Sequence, residues 1–106
     1  MRRGEIFRVR MPRDAWGHEQ RGVRYAVVVQ SPVLPLSTVL VAPTSTTALP
    51  TTFRPEVVLG GTHTRVLAEQ VGVVDRGRLG RSAGHLTWEE LDEVDRALET
   101  VLGLAR

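Results

Sequence analysis

The chain has no cysteine, no lysine, few aromatic residues and no long apolar run. Without cysteine there can be no disulfide and no thiolate metal site, which excludes a zinc finger and a disulfide-stapled secreted mini-protein and makes a reducing cytoplasm the natural setting. The strictly aliphatic stretch from Ala26 to Val29 is only four residues, against the ~20 that a membrane helix needs. Met1-Arg2-Arg3 runs into Gly-Glu-Ile-Phe-Arg and not into an apolar core, so no signal peptide is expected. There is also no phosphate loop, dinucleotide fingerprint, HExxH or Gly-x-Ser-x-Gly. His18, His63 and His85 are far apart and stand in no ligand spacing. No metal and no cofactor is expected, so any chemistry must rest on Arg, Glu, Thr, Ser or His.

What remains is an ordinary globular composition. At 106 residues, 42% hydrophobic and 25% charged, the chain reads as one domain over residues 1–106. Its net charge of +2 hides an uneven distribution. Residues 1–86 hold twelve arginines against six acids, whereas residues 87–106 hold two against six. A basic body attracts a polyanion or an acidic peptide by long-range steering. The exclusive use of Arg suits bidentate phosphate recognition, although codon bias in a GC-rich genome explains it more simply.

Residues 4–10 read as a first strand, 11–22 as a polar loop with a proline and two glycines, and Arg24 to Gln30 as a buried strand. Five of the six prolines fall between 32 and 55. There Thr38 to Ala42 reads as a strand and Thr44 to Pro55 as an irregular loop. Short apolar runs follow at Glu56–Leu59, Thr64–Ala68 and Val71–Val74, with Gly60-Gly61 as the turn between the first two. Short strands with frequent Gly and Pro predict a small curled sheet or barrel. The period then changes. Thr87-Trp88-Glu89-Glu90 matches a capping box, and Leu91, Val94, Leu98, Val101 and Leu102 form one helical stripe, with Gly103 placed to end it.

Two places carry candidate chemistry. Gly17-His18-Glu19-Gln20-Arg21-Gly22-Val23-Arg24 presents a carboxylate, an amide and guanidinium groups from a glycine-bounded loop. Arg24, held at the mouth of a strand, has the placement of a phosphate clamp. The plain alternative is a surface loop in which Glu19 and Arg21 pair with each other and with water. Thr44, with Ser45, Thr46 and Thr47 behind it, ends a strand where hydroxyls can donate to phosphate, or simply satisfy a turn. Of the aromatics, Trp16 and Phe53 lie in the long loops, where they can stack on bases; Phe53 serves equally well as a loop anchor. Phe7 and Trp88 read as core or helix packing.

In order along the chain, these pieces resemble the MazF/PemK family of toxin endoribonucleases. The resemblance begins at Arg3-Gly4-Glu5-Ile6 and takes in residues 17–24, where the family has Gly-x-Glu-Gln-x-Gly-x-Arg. It continues through Ala26–Val29 and Val41-Ala42-Pro43-Thr44, where the family places a catalytic Thr or Ser. Glu56–Leu59, Leu67-Ala68-Glu69-Gln70-Val71, Asp75–Gly80 and the closing helix fit as well. Where the family commonly has Pro after the Arg, this chain has Tyr25.

The resemblance implies an α+β fold, a small and mostly antiparallel SH3-like β-barrel with a C-terminal amphipathic helix. It also implies a cytoplasmic homodimer that is held inactive by a cognate acidic antitoxin. Such a toxin would cleave single-stranded RNA without a metal, leaving 2′,3′-cyclic phosphate and 5′-hydroxyl ends. Arg24 and Thr44 are then the catalytic pair, with Glu19 in support. The loops 11–22 and 44–55 wall the RNA groove, giving Trp16, His18, Gln20 and Arg21 on one side and Ser45, Thr46, Phe53 and Arg54 on the other. The rival readings are a non-catalytic gyrase-binding toxin of the CcdB type on the same barrel, and an inactive relative.

Overall fold

A computed structural model describes residues 1–11 and 22–104. Within them lie seven strands: β1 (Glu5–Met11), β2 (Gly22–Val28), β3 (Thr38–Ser45), β4 (Glu56–Leu59), β5 (Thr62–Val66), β6 (Gly72–Asp75) and β7 (Leu79–His85). One helix, α1 (Trp88–Val101), follows. The strands pair antiparallel in the order β4-β5-β3-β2-β1-β7, and β6 pairs with β3. This is the expected α+β arrangement, a curled antiparallel sheet with a C-terminal helix.

The central strands bury both faces, which explains why their sequences are continuous apolar runs and do not alternate. On one face Ile6, Val27, Ala42, Val57 and Val66 meet Leu86, Leu91 and Val94. On the other, Val9, Ala26, Val28, Val39, Val41 and Val74 pack together, with Phe7 and Leu79 against them. Each large side chain so buried contributes roughly 1.5–3 kcal/mol. The β4–β5 hairpin turns on Gly60 and Gly61, between the paired residues Leu59 and Thr62. Both glycines have positive φ, at 55° and 83°, as a two-residue turn of this hand requires.

β3 organises the sheet by changing partners along its length. It pairs with β6 from Thr38 to Val41, with β2 from Val41 to Pro43, and with β5 at Thr44 and Ser45. Pro43 has no amide hydrogen to give a ladder, and it stands where the exchange occurs. Its carbonyl is used, accepting the Leu67 amide at 2.8 Å.

Several expectations need correction. β3 runs on through Thr44 to Ser45, β2 stops at Val28, and Ala68 belongs to a short 3-10 turn, Ala68–Gln70. β7 has no counterpart among the expected strands, because Leu79-Gly80-Arg81-Ser82-Ala83-Gly84-His85 is mostly exposed and has little intrinsic strand preference. It exists because β1 templates it, through a register broken by bulges. Gly80 allows the approach, since a Cβ there would lie 2.9 Å from the Arg8 carbonyl oxygen. In α1 the buried residues are Leu91, Val94 and Ala97, and Leu98 is partly buried. Leu102 falls at the C-cap and is exposed, so it does not extend the stripe. Trp88 is not core packing: it opens the helix on the outer side and is 84% exposed.

One local device caps the helix and another ties β1 to β7. The Thr87 hydroxyl accepts the Glu90 amide at 3.1 Å while the Glu90 carboxylate accepts the Thr87 amide at 2.9 Å. Glu5 ties β1 to β7 by accepting the Ser82 hydroxyl at 2.9 Å. Burial would raise the Glu5 pKa, but the Ser82 hydroxyl, the Arg2 amide and the nearby charges of His85 and the N-terminus outweigh it, so the pKa is lowered.

Thr87→Ala should lower stability by about 1 kcal/mol, read as a smaller urea midpoint at unchanged m-value. For Glu5 the depressed folded-state pKa stabilises the protein above the ordinary carboxylate value, about 4.3, and is lost as pH falls through the folded-state value. A Glu5→Gln protein should therefore show a flatter melting-temperature profile than the parent below about pH 5.

Candidate active site

Pairing between β2 and β3 ends at Ala26 opposite Pro43. Beyond it the first residues of β2 border a cavity of about 500 Å3, closed on its other sides by the end of β3 and the β4–β5 hairpin. Arg24, Tyr25, Thr44, Ser45 and Thr46 line it, with Leu59, Gly60, Thr62 and Thr64 opposite. Five aliphatic hydroxyls and one guanidinium thus share one concave site, a set that donates hydrogen bonds to an anion from several directions.

Thr44 is almost fully buried, and its hydroxyl donates to the Tyr25 carbonyl oxygen at 2.8 Å. This bond holds the seam together one step past the last ladder pair. It also places Thr44 one residue across from Arg24. Strand alternation sends Tyr25 and Thr44 to the same face and Arg24 to the other. Arg24 and Tyr25 nonetheless both line the cavity, where β2 runs beyond the end of its ladder to β3. The Ser45 hydroxyl is 3.3 Å from that of Thr47 and accepts the Thr47 amide at 3.2 Å, which shapes the turn out of β3.

The cavity therefore brings together Arg24, Thr44, Ser45 and Thr46. Phe53 and Arg54 are not among its lining residues. The Arg54 guanidinium sits 5.7 Å above the Phe53 ring and pairs with Glu69 at 2.7 Å, while also donating to the Leu49 carbonyl at 3.1 Å. These two residues anchor the loop after β3 to the 3-10 turn that carries Glu69. The other Glu69 oxygen, Oε1, is buried without a partner among the described residues. Trp16, His18, Glu19, Gln20 and Arg21 lie outside the described residues. Among the described residues, no three His, Asp or Glu side chains come together as a metal site.

Sequence reasoning missed the far wall, Leu59, Gly60, Thr62 and Thr64. The signal available was period two: Thr62 and Thr64 share a face of β5 with Val66, and Thr44 stands opposite Val66. Removing the seam bond tests its structural part. Thr44→Val leaves the Tyr25 carbonyl unpaired and should cost about 1–3 kcal/mol, whereas Thr44→Ser should recover most of it in the same denaturant titration.

Residues 2–102 match the family described as PemK-like, MazF-like toxin of type II toxin–antitoxin system. A Mycobacterium tuberculosis protein with the provisional name toxin Rv3098A/RVBD_3098A is 41% identical over 103 residues, covering 96% of this chain and 97% of that one. Among solved structures, MazF from Deinococcus radiodurans shares the fold with a TM-score of 0.85 at 24% identity, over 97% of this chain and 96% of that chain. An endoribonuclease from a mycobacterial species, solved in complex with its cognate antitoxin, has a TM-score of 0.80 at 21% identity, over 100% and 98% of the two chains. With a match over nearly the whole length and a fold in common with these relatives, the chain belongs to the PemK-like, MazF-like toxin family of type II toxin–antitoxin systems.

Proposed function

We infer that this toxin is a sequence-specific endoribonuclease acting on single-stranded RNA. The observation that carries the reading is the meeting of Arg24 and Thr44, from separate strands, in one hydroxyl-lined cavity. A solved structural relative that is itself described as an endoribonuclease adds to it. The reaction is an internal transfer. The 2′-hydroxyl oxygen attacks the adjacent phosphorus, the bond from phosphorus to the 5′ oxygen breaks, and the products are a 2′,3′-cyclic phosphate and a 5′-hydroxyl. One proton leaves the 2′ oxygen and one reaches the 5′ oxygen, so the balance requires neither water nor a metal.

Charge builds on the non-bridging oxygens of the phosphorane, where preorganised donors act most strongly. Arg24 is suited to this by its planar fork. A guanidinium keeps its proton in proteins and so makes a poor general base; the role of Arg24 is to stabilise charge. Thr44 donates to a phosphorane oxygen by giving up its bond to the Tyr25 carbonyl. Glu19 is assigned to proton transfer on its motif position. Ser45 and Thr46, with Trp16, His18, Gln20 and Arg21 of the preceding loop, contact the bases, whose edges are free in a single strand. The partners of this reading are a second copy of the chain and an acidic antitoxin segment, which the basic body attracts.

The test is to incubate the purified protein, free of antitoxin, with a long RNA of known sequence in excess EDTA and to map the new ends. Discrete cuts at one short sequence with 5′-hydroxyl ends are expected, and Arg24→Ala should abolish them. Arg24→Lys keeps the charge without the fork and should lose about 10²–10³ in rate. A folded protein that leaves RNA intact but inhibits gyrase supercoiling would overturn the reading in favour of a binding toxin.

A further inference from the structure

A second and larger cavity, about 730 Å3, opens beside the first. Arg8 and Arg10 of β1 line it with Arg78, Arg81 and Ser82, and Tyr25 borders both cavities. The register explains the adjacency. Arg8 stands directly opposite Tyr25 in the β1–β2 ladder, and Tyr25 takes the Thr44 hydroxyl on its other side. Thr44, Tyr25 and Arg8 thus form one rank across three strands on a single face of the sheet. The ring of Tyr25, 46% exposed, stands between the hydroxyls and the arginines.

The arginines here differ from others in the molecule. Arg3, Arg54, Arg65 and Arg96 are each paired with a carboxylate. Among the described residues, no ion pair involves Arg8, Arg10, Arg78 or Arg81. Arg78 instead donates to the Arg10 carbonyl at 3.3 Å, which holds it over β1. Four like charges gathered without a counter-charge repel one another, so the arrangement is stabilised by an anion carrying several charges. A basic track beside an exposed aromatic ring is the combination that binds single-stranded nucleic acid, through phosphate contacts and base stacking.

We propose that this arginine groove is a subsite for the RNA nucleotides flanking the cleaved bond, with Tyr25 stacking on a base at its entrance. The proposal rests on the ribonuclease reading for its choice of RNA, because a strand whose scissile phosphate lies in the first cavity must continue out of it. The guanidinium groups take the phosphates and the Tyr25 ring separates the reacting nucleotide from its neighbour. Tyr25 is here a positioning residue for substrate and takes no part in the proton transfers.

The experiment measures binding of a mixed-sequence, fully 2′-O-methylated single-stranded RNA, which cannot be cleaved, over a range of salt concentrations. Arg8→Ala/Arg81→Ala should weaken binding and reduce the salt slope by about 1.4, at about 0.7 for each phosphate that the variant no longer neutralises. Tyr25→Ala should weaken binding about tenfold with the slope unchanged, and Tyr25→Phe should restore it. Circular dichroism melts establish that each variant is folded. A folded double variant with the parental affinity and slope would overturn the proposal. So would one that keeps its RNA slope but loses binding to a polyglutamate peptide, which would give the groove to a protein partner. Cleavage of unmodified RNA, measured in parallel, separates the two readings. A protein that cuts normally without the groove arginines removes the subsite alone, whereas one that binds through them without cutting removes the ribonuclease alone.

Discussion

The exchange of partners along β3 is the constraint on which the rest of the molecule depends. A strand that keeps one neighbour on each side gives a continuous sheet with nothing between its ladders. β3 instead passes from β6 to β5 on one edge and loses β2 on the other after Pro43. The sheet must open at that point, and the cavity lined by Arg24 and Thr44 occupies the opening. The same exchange leaves one edge of the hairpin β4–β5 facing the site, so the far wall is a direct result of where the ladder stops. Because the core packs on both faces of β1, β2 and β3, the opening is held between two well-packed clusters and is not a flaw in either.

Electrostatics divides the surface in a corresponding way. The helix carries half of the acids in the chain, and two of them serve structure directly: Glu90 completes the cap, and Asp95 pairs with Arg3 at 2.6 Å. Arg54 and Arg65 are likewise committed to Glu69 and Glu56. Arg8, Arg10, Arg78 and Arg81, which have no such carboxylate among the described residues, gather along β1 and around the start of β7. An uneven charge count along the chain therefore becomes, after folding, a separation between neutralised and unneutralised faces.

Much of this is legible in the sequence. The capping box and most of the helical stripe can be read because they depend on spacing of a few residues, and α1 forms from Trp88 as the box requires. The strands with buried valines are legible for the same reason. β7 is not, because its stability comes from pairing with β1, from which it is separated by 70 to 80 positions, and not from its own small, exposed residues. Trp88 misleads since a large aromatic beside a helix stripe carries no local mark of which side it takes. At the site, Arg24 and Thr44 stand out as strand-end residues next to polar loops. Thr62 and Thr64 do not, because their place in the cavity follows from the register between β3 and β5. Arg54 reads as available to a ligand, and only the folded chain brings Glu69 to it.

The bond from Thr44 reaches the main chain of residue 25 and not its side chain. Every amino acid offers that carbonyl, proline included. The frame of the site is consequently indifferent to what residue 25 is, and the sequence there is free to drift without loosening the seam. Substitution at this one position changes the surface between the two cavities while the geometry beneath it is inherited intact. A lineage can therefore alter what the site meets without having to rebuild how the site is held.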